Sequence, residues 1–317
     1  MIRFAFCLLL LAAIPVAAQE YPTKPIRVVV PFPPGGATDL ITRRIGERLT
    51  QRWGQPVVVE NKPGANTIIG TEAVYRADAD GYTLLMTSPA GLVQLPPLYP
   101  KLPYDPERDF LPLTQIAEVP TALIVPNELP VKDVKGLAGY LKDNPAKTSY
   151  GSLGLGSTLH IYGEAFKRQV GADTVHVPYK GDAPAMTDLV AGRVQYLFNN
   201  PVSAIGFAKG GKVRILAVTG EQRSKALPDV ATLKEQGIDM AADAFFGLYG
   251  PPGMPADVVG RIDRAVADAL KDPAIQEKIY NFGLVPNHAP AVELAATQAA
   301  HLKRWEAPIK ASGFRAE

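Results

Sequence analysis

Short runs of apolar, often β-branched residues alternate along the chain with longer stretches in which apolar positions recur every three or four residues. The short runs predict strands and the periodic stretches predict helices. Strands rich in valine and isoleucine, separated by helices, predict an α/β fold built on a parallel sheet with both faces covered. The predicted strands are Ile26–Pro31, Val57–Glu60, Tyr82–Thr87, Ala122–Val125, Thr148–Gly151, Thr174–Val177, Val194–Phe198, Val213–Val218 and Phe245–Tyr249. The predicted helices are Asp39–Trp53, Thr67–Ala77, Val134–Asn144, Thr158–Val170, Ala183–Ala191, Asp257–Lys271, Ala274–Phe282 and Ala289–Ser312.

The first predicted helix shows this pattern clearly. Ile41, Ile45 and Leu49 fall on one face, and charged residues occupy the opposite face. Gly54 follows the last turn, where glycine commonly ends a helix. The motif PPGG precedes the helix, so the order is strand, tight glycine turn and helix N-terminus.

The stretch PFPPGGATDL, residues 31 to 40, supports two interpretations. The N–H groups of a first helical turn have no intrahelical partners and carry partial positive charge. Gly35 and Gly36 lack a Cβ and let a ligand approach the backbone, so the turn is one candidate for binding an anion. The alternative is an ordinary strand-to-helix turn with Asp39 as its cap.

A second glycine-rich turn lies in TSYGSLGLGSTLH, residues 148 to 160. A short strand leads to Gly151, Gly154 and Gly156, after which Ser157 can cap a helix. The phosphate-loop spacing is absent, and no lysine follows Gly156, so nucleotide binding is unsupported. Two such turns without a cation suit a small anion held by backbone dipoles in a cleft between two lobes.

Composition and charge exclude several classes of partner. The chain has 317 residues, of which 47% are hydrophobic and 20% charged, as in globular proteins. The formal net charge is +2, and lysine and arginine alternate with aspartate and glutamate. An evenly mixed surface of this kind argues against nucleic acid or an anionic membrane as the partner.

The N-terminus predicts export. Arg3 precedes an apolar run from Phe4 to Val16, and small residues follow before Gln19. This pattern predicts a cleaved signal peptide over residues 1–18 and a periplasmic location, with a buried helix or a signal anchor as alternatives. The run is too short to span a membrane as a helix. Cys7, the single cysteine, lies inside this run, so the mature chain would contain no disulfide.

Several segments in order resemble the Bug-type periplasmic receptors, which are the solute-binding components of tripartite tricarboxylate transporters. They are PFPPGGATDLITR, ENKPGANTIIGTEAV, DGYTLLMTSPA, YGSLGLGSTLHIYGEAF, HVPYKGDAPAMTDLVAGRVQYLF and VRILAVTGEQRSKALPDVATLKEQG. The resemblance covers essentially the whole mature chain. It implies a two-lobed type II periplasmic binding protein fold with a hinged cleft. It further implies a monomer that binds a small organic carboxylate and delivers it to membrane transporter subunits.

The resemblance also predicts the lobe boundaries and the site. Lobe 1 would comprise residues 24–119 and 245–317, and lobe 2 residues 120–244. The first glycine turn would contribute Phe32, Pro33, Gly35, Gly36, Ala37, Thr38 and Asp39. The second would contribute Ser152, Gly154, Gly156, Ser157 and His160. The far end of the ligand would meet Ser88, Tyr179, Lys180 and Asn199.

Some of these residues have a second interpretation. Asn199 stands where the family usually has aspartate, and the lost charge favours a di- or tricarboxylate or an aromatic acid over an amino acid. Lys180 either pairs with a second carboxylate or is solvated. Asp39 either contacts the ligand or stabilises its own helix N-terminus. His160 either orients the turn, directly or through water, or is a packed histidine.

The remaining histidines, metal binding and two rival functions complete the predictions. His176 is predicted to be structural, and His288 and His301 to lie at the surface. No cofactor or metal site is expected, because histidine pairs, cysteine pairs and carboxylate clusters with ligand spacing are absent from the sequence. A hydrolase using Ser157 and His160 is one rival, although no G-x-S-x-G motif is present. A receptor that signals without transport is the other.

Overall fold

The computed structural model describes residues 21–99, 101–224, 227–240 and 244–311. The predicted signal peptide, residues 1–18, lies outside these ranges, as do residues 312–317 at the end of predicted lobe 1. Across the described ranges, no helix combines the length and the apolar character needed to cross a membrane.

Two separate sheets organise the described chain. In chain order the strands are β1 (Ile26–Val30), β2 (Val57–Asn61), β3 (Thr83–Thr87), β4 (Leu111–Val119), β5 (Ala122–Pro126), β6 (Ser149–Ser152), β7 (Val175–Pro178), β8 (Tyr196–Asn199), β9 (Val213–Val218), β10 (Ala244–Gly250) and β11 (Val285–Pro290). The first sheet has the order β11-β4-β10-β3-β1-β2, and the second has the order β7-β6-β8-β5-β9.

Helices cover these sheets. They are α1 (Ala37–Trp53), α2 (Ile68–Tyr75), α3 (Val134–Asp143), α4 (Thr158–Val170), α5 (Asp182–Val190), α6 (Pro201–Lys209), α7 (Ala256–Ala269), α8 (Pro273–Asn281) and α9 (Ala291–Ala311). The bounds of α4 match the prediction at both ends. Ser157 caps its start through a hydrogen bond from the N–H of His160, and Gly171 ends it in the left-handed conformation.

The strands that lead into the glycine turns are parallel, as predicted. β1 pairs in parallel with β2 and β3, and β6 pairs in parallel with β7 and β8. The prediction of a wholly parallel sheet is wrong elsewhere. β10 is antiparallel to β3 and β4, β11 is antiparallel to β4, and β5 is antiparallel to β8 and β9.

Three elements escape the sequence pattern: β4, β11 and α6. The sequence of β11, VPNHAP, holds two prolines and no apolar alternation. It forms the outer edge of the first sheet, where one side of the backbone needs no strand partner and proline is tolerated. The position in the sheet therefore permits a strand that local propensity does not favour.

The division of strands between the sheets supports the predicted lobe boundaries, which we retain as a proposal. Among the described residues, every strand of the first sheet lies within 26–119 or 244–290, and every strand of the second lies within 122–218. Helix α9 also packs across to α4, where the rings of Trp305 and Tyr162 stack with centroids 5.0 Å apart. The two lobes thus share part of one apolar core.

The prediction that His301 lies at the surface is wrong. Its side chain is only 9% exposed, and its ring packs edge-on against Phe245. Burial lowers the pKa of His301 to about 4. His288, in contrast, is exposed as predicted. Position 301 belongs to the buried face of α9, which it shares with Leu294, Gln298 and Trp305.

Candidate functional site

The carboxyl ends of the parallel strands bring most of the predicted site residues to two sheet edges. At the first sheet, β1 ends at the first glycine turn (residues 31–38), and its neighbour β3 ends beside Ser88. At the second sheet, β6 ends at the second glycine turn (residues 153–157). Tyr179, which follows β7, and Asn199, the last residue of β8, lie at that same edge. Ligands of open α/β sheets bind at edges of this kind.

Contacts between the sheets connect these two edges. Gln94 belongs to a π-helical segment, Ala90–Gln94, that follows Ser88. Its buried amide forms two hydrogen bonds with the hydroxyl of Thr158, the first residue of α4, at 2.7 Å and 3.0 Å. The segment after β3 therefore lies against the helix that begins at the second glycine turn.

A second contact joins the edges near β8. The side-chain amide of Asn200 donates to the carbonyl oxygen of Phe282, at the end of α8, over 2.9 Å. Phe282 and Phe32, the second residue of the first glycine turn, both pack against the core of the first sheet. The segment after β8 therefore lies against the end of α8.

The first glycine turn presents an uncapped helix N-terminus. Gly35 has a φ of +88°, which favours glycine, whereas Gly36 has ordinary extended angles. No side chain caps α1, and the N–H groups of Gly36, Ala37 and Thr38 have no partner among the described residues. Gly35 and Gly36 are exposed. These unpaired N–H groups can donate hydrogen bonds to an anion.

Asp39 fixes the shape of the first glycine turn. Its carboxylate is buried and accepts hydrogen bonds from the N–H of Gly35 at 2.8 Å and from the amide of Asn61 at 3.0 Å. Arg43 forms an ion pair with it at 2.9 Å. Burial opposes ionisation, but these bonds, with that from Gly35 foremost, lower the pKa of Asp39. The carboxylate is thus already fully engaged, which supports its role as a partner of its own turn and helix.

The second glycine turn is held by hydrogen bonds of its own. Ser152 Oγ accepts from the N–H of Gly154 at 3.2 Å, and His160 Nδ1 accepts from the N–H of Gly156 at 3.1 Å. The N–H of Ser157 donates to the carbonyl oxygen of Gly154 at 3.3 Å. These three N–H groups therefore shape the turn. The N–H groups of Leu155 and Thr158 are among those that have no partner within the described chain, and they can donate to a ligand.

Ser157 serves mainly as the cap of α4. Its hydroxyl donates to the carbonyl oxygen of Gly154 at 2.8 Å and accepts from the N–H of His160 at 3.2 Å. We expect Ser157→Ala to lower the free energy of unfolding by about 1 kcal/mol, the usual cost of losing a cap. Calorimetric titration should show an affinity change below about threefold.

A matched control for this prediction lies on α3. Asp133 caps that helix by accepting from the N–H of Gly136 at 2.7 Å. Asp133→Ala should destabilise the protein by a similar amount with no effect on binding. A loss of affinity above about tenfold in Ser157→Ala alone would show that the hydroxyl contacts the ligand directly.

The residues predicted to meet the far end of the ligand differ in whether their side chains already have hydrogen-bond partners. Lys180 is exposed. Tyr179 donates its hydroxyl to Asp188 at 2.9 Å, and Ser88 Oγ accepts from the N–H of Ala90 at 3.4 Å. Both side chains therefore have protein partners already.

Asn199 is buried between its neighbours. Its amide donates to the carboxylate of Asp182, and its carbonyl accepts from the N–H of Asn200 at 2.7 Å. Ser203 also donates to Asp182, at 2.5 Å. A carboxylate therefore still lies beside position 199, supplied by the first residue of α5 rather than by residue 199 itself.

Sequence reasoning missed four residues that shape the site. Arg43 lies four positions after Asp39, a spacing typical of helical ion pairs, so that contact had a readable signal. The place of Asp182 could also be predicted from the sequence, because acidic residues favour the first turn of a helix. Asn61 and Gln94 had no such signal, because their contacts join segments distant in sequence.

Metal ligands are not gathered at either edge. Within the ranges that the structure describes, no group of three or more histidine, cysteine, aspartate or glutamate residues is arranged to hold a metal ion.

Comparison with known proteins gives consistent matches over most of the chain. A family model described as the tripartite tricarboxylate transporter family receptor matches residues 41–314. BugT of Bordetella pertussis is 33% identical over 305 residues, which cover 96% of this chain and 94% of BugT.

Two solved structures extend the similarity to the fold. Rpa4515 of R. palustris, solved with adipate, is 33% identical with a TM-score of 0.79 and covers 93% of this chain and 99% of its own. MatC of Rhodopseudomonas palustris, with bound malate, is 30% identical with a TM-score of 0.75 and covers 91% of this chain and 100% of its own.

Proposed function

The chain belongs to the tripartite tricarboxylate transporter receptor family, and from this premise we propose that it captures a small organic carboxylate between its two lobes for delivery to the membrane subunits of such a transporter. The predicted signal peptide would place it in the periplasm. The two-sheet fold, with a glycine turn at one edge of each sheet and a Gln94–Thr158 contact between the sheets, supports capture by lobe closure around the ligand.

One observation carries this proposal: each lobe presents a glycine turn followed directly by a helix N-terminus. Helix α1 has no side-chain cap, and the N–H groups of Ala37 and Thr38 are open. Each helix terminus stabilises a bound anion by about 0.3–2 kcal/mol. Hydrogen bonds from uncharged N–H groups to a carboxylate add about 1.5–3 kcal/mol each. A carboxylate could therefore bind without a basic side chain at either turn.

The chemistry of related proteins supports an organic acid as the ligand. Rpa4515 was solved with adipate and MatC with malate, both dicarboxylates. Backbone recognition of one carboxylate leaves the remainder of the ligand to side chains. Lys180 is exposed and directly follows Tyr179, and we propose that it meets a second carboxylate. We therefore propose a di- or tricarboxylate or an aromatic acid, bound by a monomer.

The hydrogen bonds of Ser157 and His160 argue against a hydrolase. A serine nucleophile needs its hydroxyl proton directed at a basic histidine nitrogen. Here the hydroxyl of Ser157 donates to the carbonyl oxygen of Gly154. His160 Nδ1 accepts from the backbone N–H of Gly156 and does not contact Ser157 Oγ. The pair supports the turn, so we propose a receptor without catalytic activity.

Thermal unfolding of the mature protein tests the proposed function. A ligand that binds only the folded state stabilises it by mass action, by about 2.7 kcal/mol at one hundred times its dissociation constant. We expect at least one acid from a panel of di-, tri- and aromatic carboxylates, including adipate, malate and citrate, to raise the melting temperature clearly. If no acid in the panel raises it and calorimetry detects no binding, the proposed function is wrong.

A further inference from the structure

Two histidines lie stacked directly behind the second glycine turn. The ring centroids of His160 and His176 are 3.9 Å apart, and the ring planes differ by 19°. Tyr150 stacks on His176 at 4.9 Å, and Tyr196 stacks on Tyr150 at 5.4 Å. His160 is 3% exposed, and both tyrosines are fully buried. The second glycine turn therefore rests on a stack of four aromatic rings, in which both tyrosines are fully buried.

Each histidine holds a different part of the turn. His160 Nδ1 accepts the N–H of Gly156 at 3.1 Å, so this nitrogen carries no proton and the ring is neutral. His176 Nε2 lies 2.7 Å from Ser152 Oγ, which in turn bonds both the N–H and the carbonyl oxygen of Gly154. The pair therefore secures the start of the turn through Ser152 and its end through Gly156.

Charged and titratable groups around the pair come from three elements. Glu164 and Lys167 lie on α4, and Tyr150 on β6 donates its hydroxyl to Glu164 at 2.5 Å. Burial lowers the pKa of His160, although Glu164 opposes this. Burial, together with His160 and Lys167, lowers the pKa of His176 to about 4. On β8, the hydroxyl of Tyr196 lies 3.2 Å from that of Thr174 and adds no charge at neutral pH.

We propose that His160 and His176 act as one neutral positioning unit for the second glycine turn, and that a proton entering the pair weakens ligand binding. A proton on His160 Nδ1 would place two donors, Nδ1–H and the N–H of Gly156, opposite each other, and the N–H of Gly156 would lose its acceptor. A charge on either ring would be buried against its stacked neighbour. A proton on His160 thus releases the end of the turn, and a charge on His176 destabilises the ring stack behind its start; the unpaired N–H groups of Leu155 and Thr158 then move from the ligand position.

The sign of the pH effect follows from these pKa directions. Both folded-state pKa values lie below the usual value near 6.5, so the pair is neutral at neutral pH. Affinity is therefore complete above pH 6.5 and declines as the pH falls toward 4. This inference rests on the proposed function, because it concerns the turn that would hold the carboxylate.

Substitutions of His160 at pH 7.5 give the first test, with adipate and malate as probes in calorimetric titrations. His160→Ala removes the acceptor of Gly156 and should weaken binding about tenfold or more. The oxygen of asparagine can take the place of Nδ1, so His160→Asn should restore most of the affinity lost in the alanine variant. Circular dichroism establishes that each variant is folded.

The pH profile gives the second test, which a purely structural role would not change. The double variant His160→Asn, His176→Gln cannot take up a proton at either position. The ratio of wild-type to double-variant affinity cancels the titration of the probe itself and should fall progressively as the pH is lowered from 7.5 to 4.5. His288→Gln, on the exposed histidine, should keep the wild-type profile.

The possible results distinguish failure of the proposed function from failure of the positioning role alone. If neither probe nor any other panel acid binds the wild type at pH 7.5, the proposed function fails, and this inference fails with it. If acids bind but His160→Ala matches the wild type, or the affinity ratio is flat from pH 7.5 to 4.5, only the positioning role is overturned. If the alanine variant does not fold, the asparagine variant and the pH profile still test the positioning role of the two histidines.

Discussion

Replacing Gly36 with valine (Gly36→Val) is expected to abolish carboxylate binding while leaving the protein folded. Gly36 precedes α1 with φ −76° and ψ 169°, angles that valine readily adopts. A Cβ at this position would meet only the carbonyl oxygen of Pro33, at 3.9 Å, an ordinary contact. The added side chain would instead occupy the exposed space in front of the open N–H groups. The substitution therefore acts on the ligand and not on the protein core.

The size of the effect follows from the bonds that are lost. Two hydrogen bonds from N–H groups to a carboxylate stabilise the complex by about 3–6 kcal/mol together. Their loss weakens binding by more than about a hundredfold. Stability without ligand should fall by at most about 1 kcal/mol, because valine is a poor N-terminal cap. Calorimetric titration and thermal unfolding measure the two quantities separately.

Graded variants sharpen the experiment. Gly36→Ala fills less of the space and should give an intermediate affinity. Gly206→Val places the same side chain on exposed helix α6, where nothing lies within 4 Å of the new Cβ, and should bind normally. Wild-type affinity in Gly36→Val would remove the first glycine turn from the binding site.

The elements that position the site could be predicted because their signals are local. Helix α4 has a serine cap, an apolar face and a terminal glycine, and the structure places it at the predicted residues. Strand β1 is an apolar run closed by a proline and glycine turn, and its prediction differs from the structure by one residue. In such segments, propensity, periodicity and turn chemistry all agree.

Other features depended on tertiary contacts that no local pattern contains. Strand β11 is stabilised by its place at the sheet edge, despite two prolines. His301 is buried because of the direction in which α9 packs, although histidine itself is a polar residue. In both cases long-range packing overrides the local preference.

In the candidate site, too, some features could be predicted from local sequence and others depend on tertiary contacts. The two glycine turns are visible in the sequence, since their backbone conformation requires glycine at Gly35, Gly154 and Gly156. The partners that hold them are not, because Asn61 and His176 come from strands distant in sequence. Sequence therefore indicates where a ligand could bind, whereas the structure shows which N–H groups are open to it.

Gly163→Ala is expected to destabilise the protein strongly, although it adds only one methyl group. Gly163 lies in α4 and packs directly on the buried ring of Tyr150. A Cβ at position 163 would overlap that ring. The ring is fully buried, and its hydroxyl donates a hydrogen bond to Glu164. Alanine is the better helix former by about 0.5–1 kcal/mol, but overpacking of a rigid core costs about 1–3 kcal/mol or more. The net expectation is a loss of about 2 kcal/mol, measured by urea unfolding.

The same substitution on α3 supplies a control of opposite sign. Gly139 is exposed within that helix, and nothing lies within 4 Å of a Cβ placed there. Gly139→Ala should therefore stabilise the protein by about 0.5–1 kcal/mol. Because Tyr150 stacks on His176, the displaced ring in Gly163→Ala should also weaken adipate binding, whereas Gly139→Ala should not. Equal stability changes in the two variants would show that Tyr150 has room to move, and that the stack of four aromatic rings behind the second turn is not rigid.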